Sequence, residues 1–455
     1  MNYIKIIIQR FGIDFHIGVT LIARLWIIVA GAILLLLIPV YLTEPEQGYY
    51  FTFSSLIATQ IFFELGFNYV VIQMVGHEMA NLTYDNKKGF SGRSENINRI
   101  LCLIGMLKKW YSIISIVFFI MVSYGGYYFF SKNGNLPLSD WTAAWFAIVA
   151  FTSINLFISP YLAVLEGIGL VGNVSRLKLF QSIIGYSILF VLLLLQKGLF
   201  SIPVLSGSMA ICSFIWLFYT HRHIILTKPS DANDANYEKI SWKKDIFPFQ
   251  WRIALSWLSG YFIFQLFNPI IFANQGEIEA GRIGLTLTMF STILSLSMSW
   301  VTAKSPVMAR LIAERKFKDL DRLFKSVIIK SGIANLIILT TFVLLVILVR
   351  EYGFSISKRL ADTEIILLLL IVSVANHFIF SAATYMRAHK REPLLWNSLV
   401  TGVLIAITIL ILCKISVLAT MIGYSFVIVL ITLPWTIYIF KEFKKNYYDV
   451  TKKNK

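Results

Sequence analysis

Charge is scarce in this chain. Of its 455 residues only 14% are charged, against 57% hydrophobic, and the mean hydropathy is +0.72. Soluble domains carry about 25% charged residues, so a water-soluble globule is excluded and an integral membrane protein is expected. Cysteine is nearly missing: Cys102, Cys212 and Cys413 each lie within or at the edge of an apolar run, which argues against a disulfide framework. Histidine and cysteine are too scattered for a zinc spacing, so neither a metal nor another cofactor is expected. No GxxxxGK[ST] occurs, and Gly198 follows rather than precedes Lys197, so ATP hydrolysis by a P-loop is excluded. The opening segment, MNYIKIIIQRFGIDFHIG, has too short an apolar core for a removable signal peptide. Its Ile4, Ile8, Phe11 and Phe15 recur at helical spacing, as in an amphipathic helix on a membrane surface.

What the chain does have is long apolar runs. A membrane-spanning helix needs about 20 mostly apolar residues, and twelve windows qualify: 17–42, 49–73, 110–130, 141–165, 179–195, 202–220, 251–273, 281–303, 326–349, 363–385, 394–413 and 417–440. With the N-terminus inside, the inner segments hold 31 Lys and Arg and the outer loops six. That asymmetry predicts both termini on the cytoplasmic side. The net charge of +17 is therefore a topology signal and the basic tail a contact for anionic headgroups. No nucleic-acid partner is expected. The outer loops are short, which leaves no room for an external catalytic domain.

The halves echo one another. Arg24, Pro39 and the turn YLTEPEQGYYFT are matched by Arg252, Pro269 and IFANQGEIEAGRIGLT. YLAVLEGIGLVGN at 161–173 and YMRAHKREPLLWN at 385–397 share their Tyr-to-Asn spacing. The expected architecture is all-α and polytopic, with two six-helix lobes around a central cavity: 1–220, a linker at 221–250, 251–440, and a basic tail at 441–455.

Polar residues inside spans mark either cavities or helix contacts. In ATQIFFELGFNYVV (58–71), Gln60, Glu64 and Asn68 fall within about 80° of one face of a continuous helix. Arg24 lies at a similar depth, so an ion pair with Glu64 and a cavity lining are equally weighted readings. Arg252 and Arg282 sit near span ends, where snorkelling competes with a cavity role, and Lys330 is read as interfacial. His377 is mid-span, either a packing histidine or a titrating group. Asn155 and Pro160 suggest a bend in the fourth span. Leu311, Phe317, Leu320 and Phe324 suggest an amphipathic helix on the inner leaflet.

The run from Arg24 through IPVYLTEPEQGYYFTFSSLIATQIFFELGF to GHE at 76–78, with its echo GEIEAGRIGLTL, resembles the polysaccharide flippases (O-antigen or capsule repeat-unit, Wzx-type) of the multidrug/oligosaccharidyl-lipid/polysaccharide exporter superfamily. That resemblance implies a non-enzymatic, alternating-access carrier in a bacterial inner membrane. It implies movement of an undecaprenyl-pyrophosphate-linked oligosaccharide to the outer leaflet for surface polysaccharide synthesis. Arg24, Gln60, Asn68, Arg252 and Arg282 would serve pyrophosphate and sugar, and Glu64 and His377 a coupling H⁺ or Na⁺. Partners would be the lipid-linked oligosaccharide, membrane lipids, and a glycan polymerase or chain-length regulator, with the carrier itself a monomer. Few buried arginines lean away from relatives that export peptidoglycan precursor. Two rivals stand: an H⁺- or Na⁺-coupled multidrug/cation antiporter, and a membrane polysaccharide polymerase, which the short outer loops disfavour.

Overall fold

The computed structural model describes residues 15–86, 89–222, 224, 246–389 and 391–453. The expected surface helix before residue 15 and most of the 221–250 linker lie outside the described residues. The protein is an all-α polytopic membrane protein. Among the described residues ten helices are long and apolar enough to cross a membrane, or eleven if one bent pair is a single span. The first helix adds a shorter apolar stretch, Leu25–Tyr41. Apolar sequence becomes helix throughout because hydrocarbon offers no partner for backbone N–H and C=O groups, and a helix satisfies them internally.

In chain order the helices are α1 Phe15–Tyr41, α2 Glu44–Ile57, α3 Gln60–Glu64, α4 Phe67–Glu78, α5 Ser94–Asn133, α6 Leu138–Ile168, α7 Val171–Leu194, α8 Pro203–Thr220, α9 Phe247–Phe264, α10 Phe267–Gln275, α11 Glu277–Ala313, α12 Phe317–Glu351, α13 Thr363–Ala388, α14 Leu395–Leu412, α15 Val417–Phe426 and α16 Leu433–Lys453. One π-helical turn, Val427–Thr432, links α15 to α16. Helix α1 shows how sequence sorts the two faces. Ala30, Leu34, Leu35 and Ile38 are buried, while Leu25, Val29, Leu36 and Val40 are more than half exposed and present a face suited to lipid.

Two compact units form, one of Met1–Leu42 with Leu56–Trp257, the other of Thr43–Ser55 with Leu258–Lys455. In the first, α6 is central, packed by α4, α5 and α8, while α1 lies along α7. Its core is aromatic: Trp141, Trp145, Tyr111, Phe118 and Phe130 are all fully buried. Gly126 lets the Trp145 ring lie where a Cβ would come within 2.0 Å of it, and the indole N–H donates to Ser123 O at 3.1 Å. In the second unit α11 and α13 form the spine, joined by α10, α12, α15 and α16.

Residues 43–55, expected in the first lobe, belong to the second unit, where they meet α11 at a glycine contact. EPEQG (44–48) and EIEAG (277–281) are the two copies of the acidic, Gly-containing motif, and here they meet. A Cβ on Gly48 would lie 1.9 Å from Glu277 O, and one on Gly281 2.8 Å from Gly48 N. Gln47, buried, donates its amide to Gly281 O at 2.9 Å and to Arg359 O at 3.0 Å. The 355–361 segment is held further by Thr286, whose Oγ1 accepts from Ala361 N at 2.9 Å, and by Arg350, which bonds Ala361 O and Thr363 Oγ1.

Between α4 and α5, where a polar inner segment was expected, the chain builds an antiparallel hairpin of β1 Leu82–Asp85 and β2 Gly89–Gly92. It is anchored by Tyr84, whose hydroxyl shares a 3.0 Å hydrogen bond with His221 Nδ1. Burial pushes the Tyr84 phenol up to about 12 and lowers the His221 imidazole, so the pair is neutral at pH 7. The acid of the GHE motif, Glu78, accepts from Asn96 at 2.6 Å and pairs with Arg99 at 3.0 Å; it ties α4 to the start of α5.

The amphipathic helix expected over 310–325 is not a separate element. Helix α11 runs on to Ala313, the chain turns, and α12 begins at Phe317. Leu320 and Phe324 are buried with Met308, Tyr385 and Met386, and Leu311 and Phe317 pack against that cluster. An apolar stripe looks the same in sequence whether it faces lipid or protein, and here protein takes it. The fourth span, likewise, is one helix that contains Pro160. Its Asn155 donates to Ser206 O on α8 at 2.9 Å and so joins two helices.

Candidate functional site

The second span is broken at the stretch that carries its polar residues. Helix α2 ends at Ile57, α3 covers only Gln60–Glu64, and α4 starts at Phe67, with a 43° bend between the flanking pieces. Leu65 and Gly66 are both left-handed, at φ 50° and 67°. Glycine adopts that conformation without penalty, whereas leucine does so at a cost. Gly66 is further required by space: a Cβ there would lie 2.6 Å from Ile253 Cγ2. The expectation that Gln60, Glu64 and Asn68 lie along one face of a continuous helix is therefore corrected, because two left-handed residues interrupt the period between Glu64 and Asn68.

The three side chains nevertheless converge. Asn68 Nδ2 donates to Glu64 Oε1 at 2.7 Å across the break, and the Gln60 amide approaches the same carboxylate. Tyr111 Oη donates to Asn68 Oδ1 at 3.2 Å, with its ring stacked on Phe67 at 6.2 Å between centroids. The carboxylate thus has amide donors, and the amide that holds it is oriented by a fully buried phenol. Among the described residues the partners of this carboxyl group are amides. A change in the protonation of Glu64 would alter its bond to Asn68 and, through Asn68, the bond to Tyr111. Such a chain of bonds can read the protonation of one group at another helix.

Arg24 and Arg252 lie in α1 and α9. Their side chains, and with them the expected Arg24–Glu64 pair, fall outside the described residues. Arg282, near the start of α11, donates to Glu279 Oε1 at 2.8 Å, and both side chains are about one-third exposed. It belongs to the EIEAG turn, in the other unit from Glu64. His377 is buried on α13 and shares a 2.9 Å hydrogen bond with Ser331 of α12. Lys330 is exposed. The structure therefore brings together Gln60, Glu64 and Asn68 and places Arg282 and His377 at two further points.

Tyr111 escaped the sequence reading because a tyrosine just after LKKW at 107–110 looks like an interfacial ring. The glycine after Glu64–Leu65 was the available signal for the break. Gly in the middle of an apolar run marks a place where the helix can be interrupted.

No family model matches the sequence, and no curated protein matches it. Among solved structures, the inward closed conformation of the lipid II flippase MurJ is similar with a TM-score of 0.63 at 12% identity, over 93% of this chain and 87% of that one. An inward-facing multidrug resistance MATE family transporter of the MOP superfamily is similar at 0.54 and 14% identity, over 91% of this chain and 99% of that one. The chain thus has the fold shared by these two kinds of transporter.

Proposed function

We propose that the protein is an alternating-access flippase that carries an undecaprenyl-pyrophosphate-linked oligosaccharide from the inner to the outer leaflet of a bacterial inner membrane. Both termini are cytoplasmic in this reading, and the two halves act as six-helix lobes. The observation that carries it is the Gln60–Glu64–Asn68–Tyr111 cluster at a break in a membrane-spanning segment. Broken spans place polar groups at membrane depth where a solute or ion must be met. The fold likeness to a flippase of a lipid-linked precursor supports the cargo class.

In this reading Arg24 and Arg252 hold the pyrophosphate, since guanidinium groups offer paired donors to phosphate oxygens. Gln60 and Asn68 offer amides to the sugar, and Glu64 exchanges a proton or cation. Protonation of Glu64 loosens the bond to Asn68 and frees the amide for the cargo, which couples the two events. A second reading, an H⁺- or Na⁺-coupled antiporter for organic cations, is favoured by the fold likeness to a multidrug transporter and by a buried carboxyl group whose partners among the described side chains are amides.

Deletion of the gene separates them. The flippase reading expects the lipid-linked oligosaccharide to accumulate on the inner leaflet with loss of surface glycan. Arrival of the intermediate at the outer leaflet with increased drug sensitivity gives the antiporter instead.

A further inference from the structure

Helices α11 and α12 belong to the same unit and expose opposite chemistries. Over residues 288–302 of α11, Thr288, Ser291, Thr292, Ser295, Ser299 and Thr302 fall within an arc of about 100°. Every residue on that arc carries a hydroxyl. Ser291, Ser295, Ser299 and Thr302 are exposed, and Thr288 and Thr292 are half-buried. Over residues 333–348 the exposed face of α12 is Ile and Leu, as at Ile333, Leu336, Ile337, Leu344 and Leu345, interrupted only by Thr340 and Thr341. A face of isoleucine and leucine suits hydrocarbon. A hydroxyl row about 21 Å long suits water or a polar solute.

Small residues on a membrane helix commonly let another helix approach, and at the N-terminal end of this same face they do. Gly281 and Gly284 lie on the arc, and α2 covers them through Gly48 and Phe51. There Ile283, Gly284, Leu285 and Thr286 are all buried. From Ser291 onward the face is left exposed, so packing against a helix is not what its hydroxyls serve. Polar character also continues beneath the cover. The α2 face that meets α11 carries Thr52, 0% exposed, whose Oγ1 has no hydrogen-bond partner among the described residues. That hydroxyl is an unanswered polar group at the head of the row.

The hydroxyl protons of the row are largely committed. Thr288, Ser291, Thr292, Ser299 and Thr302 each donate to a carbonyl of their own helix, at 2.6 to 3.2 Å. What they present outward is lone pairs, which accept. An uncharged acceptor row selects its ligand class. Sugar O–H and amide N–H groups can donate to it, whereas phosphate oxygens only accept. An organic cation finds no carboxylate, because α11 has no charged residue between Arg282 and Lys304.

We propose that the hydroxyl face of α11, from Thr288 to Thr302, binds the oligosaccharide of the cargo by accepting hydrogen bonds from its O–H and N–H groups. This rests on the flippase reading and deepens it, because sugar and pyrophosphate are then held by different residues of the chain.

The test titrates the full chain in lipid nanodiscs with two probes: lipid-linked oligosaccharide extracted from the deletion strain, and undecaprenyl pyrophosphate without sugar. In the triple variant Ser291→Ala, Ser295→Ala, Ser299→Ala, affinity for the first probe should fall about tenfold or more, and affinity for the second should stay within about twofold. Alanine is the better helix former, and Ser291 and Ser299 bond only backbone of their own helix, so the variant keeps the fold. Unchanged affinity for the oligosaccharide probe, or equal loss for both probes, overturns the proposal and leaves the flippase reading standing. A wild-type chain that binds neither probe overturns the flippase reading and the proposal with it. A second measurement needs no cargo. Ser295→Cys should react with a membrane-impermeant maleimide above the wild-type background of Cys102, Cys212 and Cys413, and Leu344→Cys should not. Ser295→Cys that stays unlabelled would place the row against lipid and overturn the proposal.

Discussion

Replacing Gly48 by alanine is the sharpest test of how the two acidic motifs meet. The new Cβ would stand 1.9 Å from Glu277 O and 2.6 Å from its carbonyl carbon, so α2 or α11 must retreat by more than ~1 Å to reach an ordinary contact. The obstacle is backbone, which cannot rotate aside. Overpacking of this kind costs about 1–3 kcal/mol, against a gain of about 1 kcal/mol from alanine's helix propensity. Gly125→Ala in α5 provides the control, since nothing lies within 4 Å of its added Cβ and only the favourable term applies. Thermal unfolding of the purified full chain in detergent should give a lower midpoint for Gly48→Ala and an unchanged or higher one for Gly125→Ala. Gly281→Ala should resemble Gly48→Ala, and the double variant should cost less than the sum because both crowd one contact. Equal midpoints for Gly48→Ala and Gly125→Ala would refute the close packing of EPEQG against EIEAG.

Three further outcomes follow from the same geometry. Gly66→Ala should destabilise by about 1–3 kcal/mol, from the left-handed backbone and the 2.6 Å approach to Ile253; adding Ile253→Ala should recover only the steric part, read by the same unfolding assay. Glu64→Gln should lower transport more than membrane abundance, and Tyr111→Phe, which removes the 3.2 Å bond to Asn68, should alter its pH profile; parallel loss of transport and abundance would make the cluster a packing device. At the end of α13, burial and the neighbouring Arg391 lower His389 to about 4. The unfolded chain then binds the extra proton first, so stability should fall as pH drops from about 6.5 to 4, and this part of the decline should be absent in His389→Asn.

Much of the fold was legible because hydrocarbon admits so few structures. The apolar windows became helices, and the repeated Glu, Glu and Gly of EPEQG and EIEAG were visible as a repeat, although their contact through Gly48 and Gly281 was not. What sequence could not decide was which face each apolar stripe would meet. Leu320 and Phe324 read as membrane-surface residues and are core residues, since periodicity carries no label for lipid or protein. The break at Leu65–Gly66 was hidden by the apolar residues around it, and the Tyr84 hairpin by its short, polar strands. Tyr111 could be joined to Asn68 only through tertiary structure, 43 residues apart in sequence. That Gln60, Glu64 and Asn68 lie together was legible, while their geometry belonged to a broken helix rather than a continuous one.

The central claim concerns which leaflet the cargo occupies. In cells lacking this gene, lipid-linked oligosaccharide can be labelled from outside in intact spheroplasts and again after lysis. The account predicts intermediate that is labelled only after lysis, with outer labelling restored by the wild-type gene and not by Glu64→Gln. Full labelling from outside in the deletion strain would contradict it.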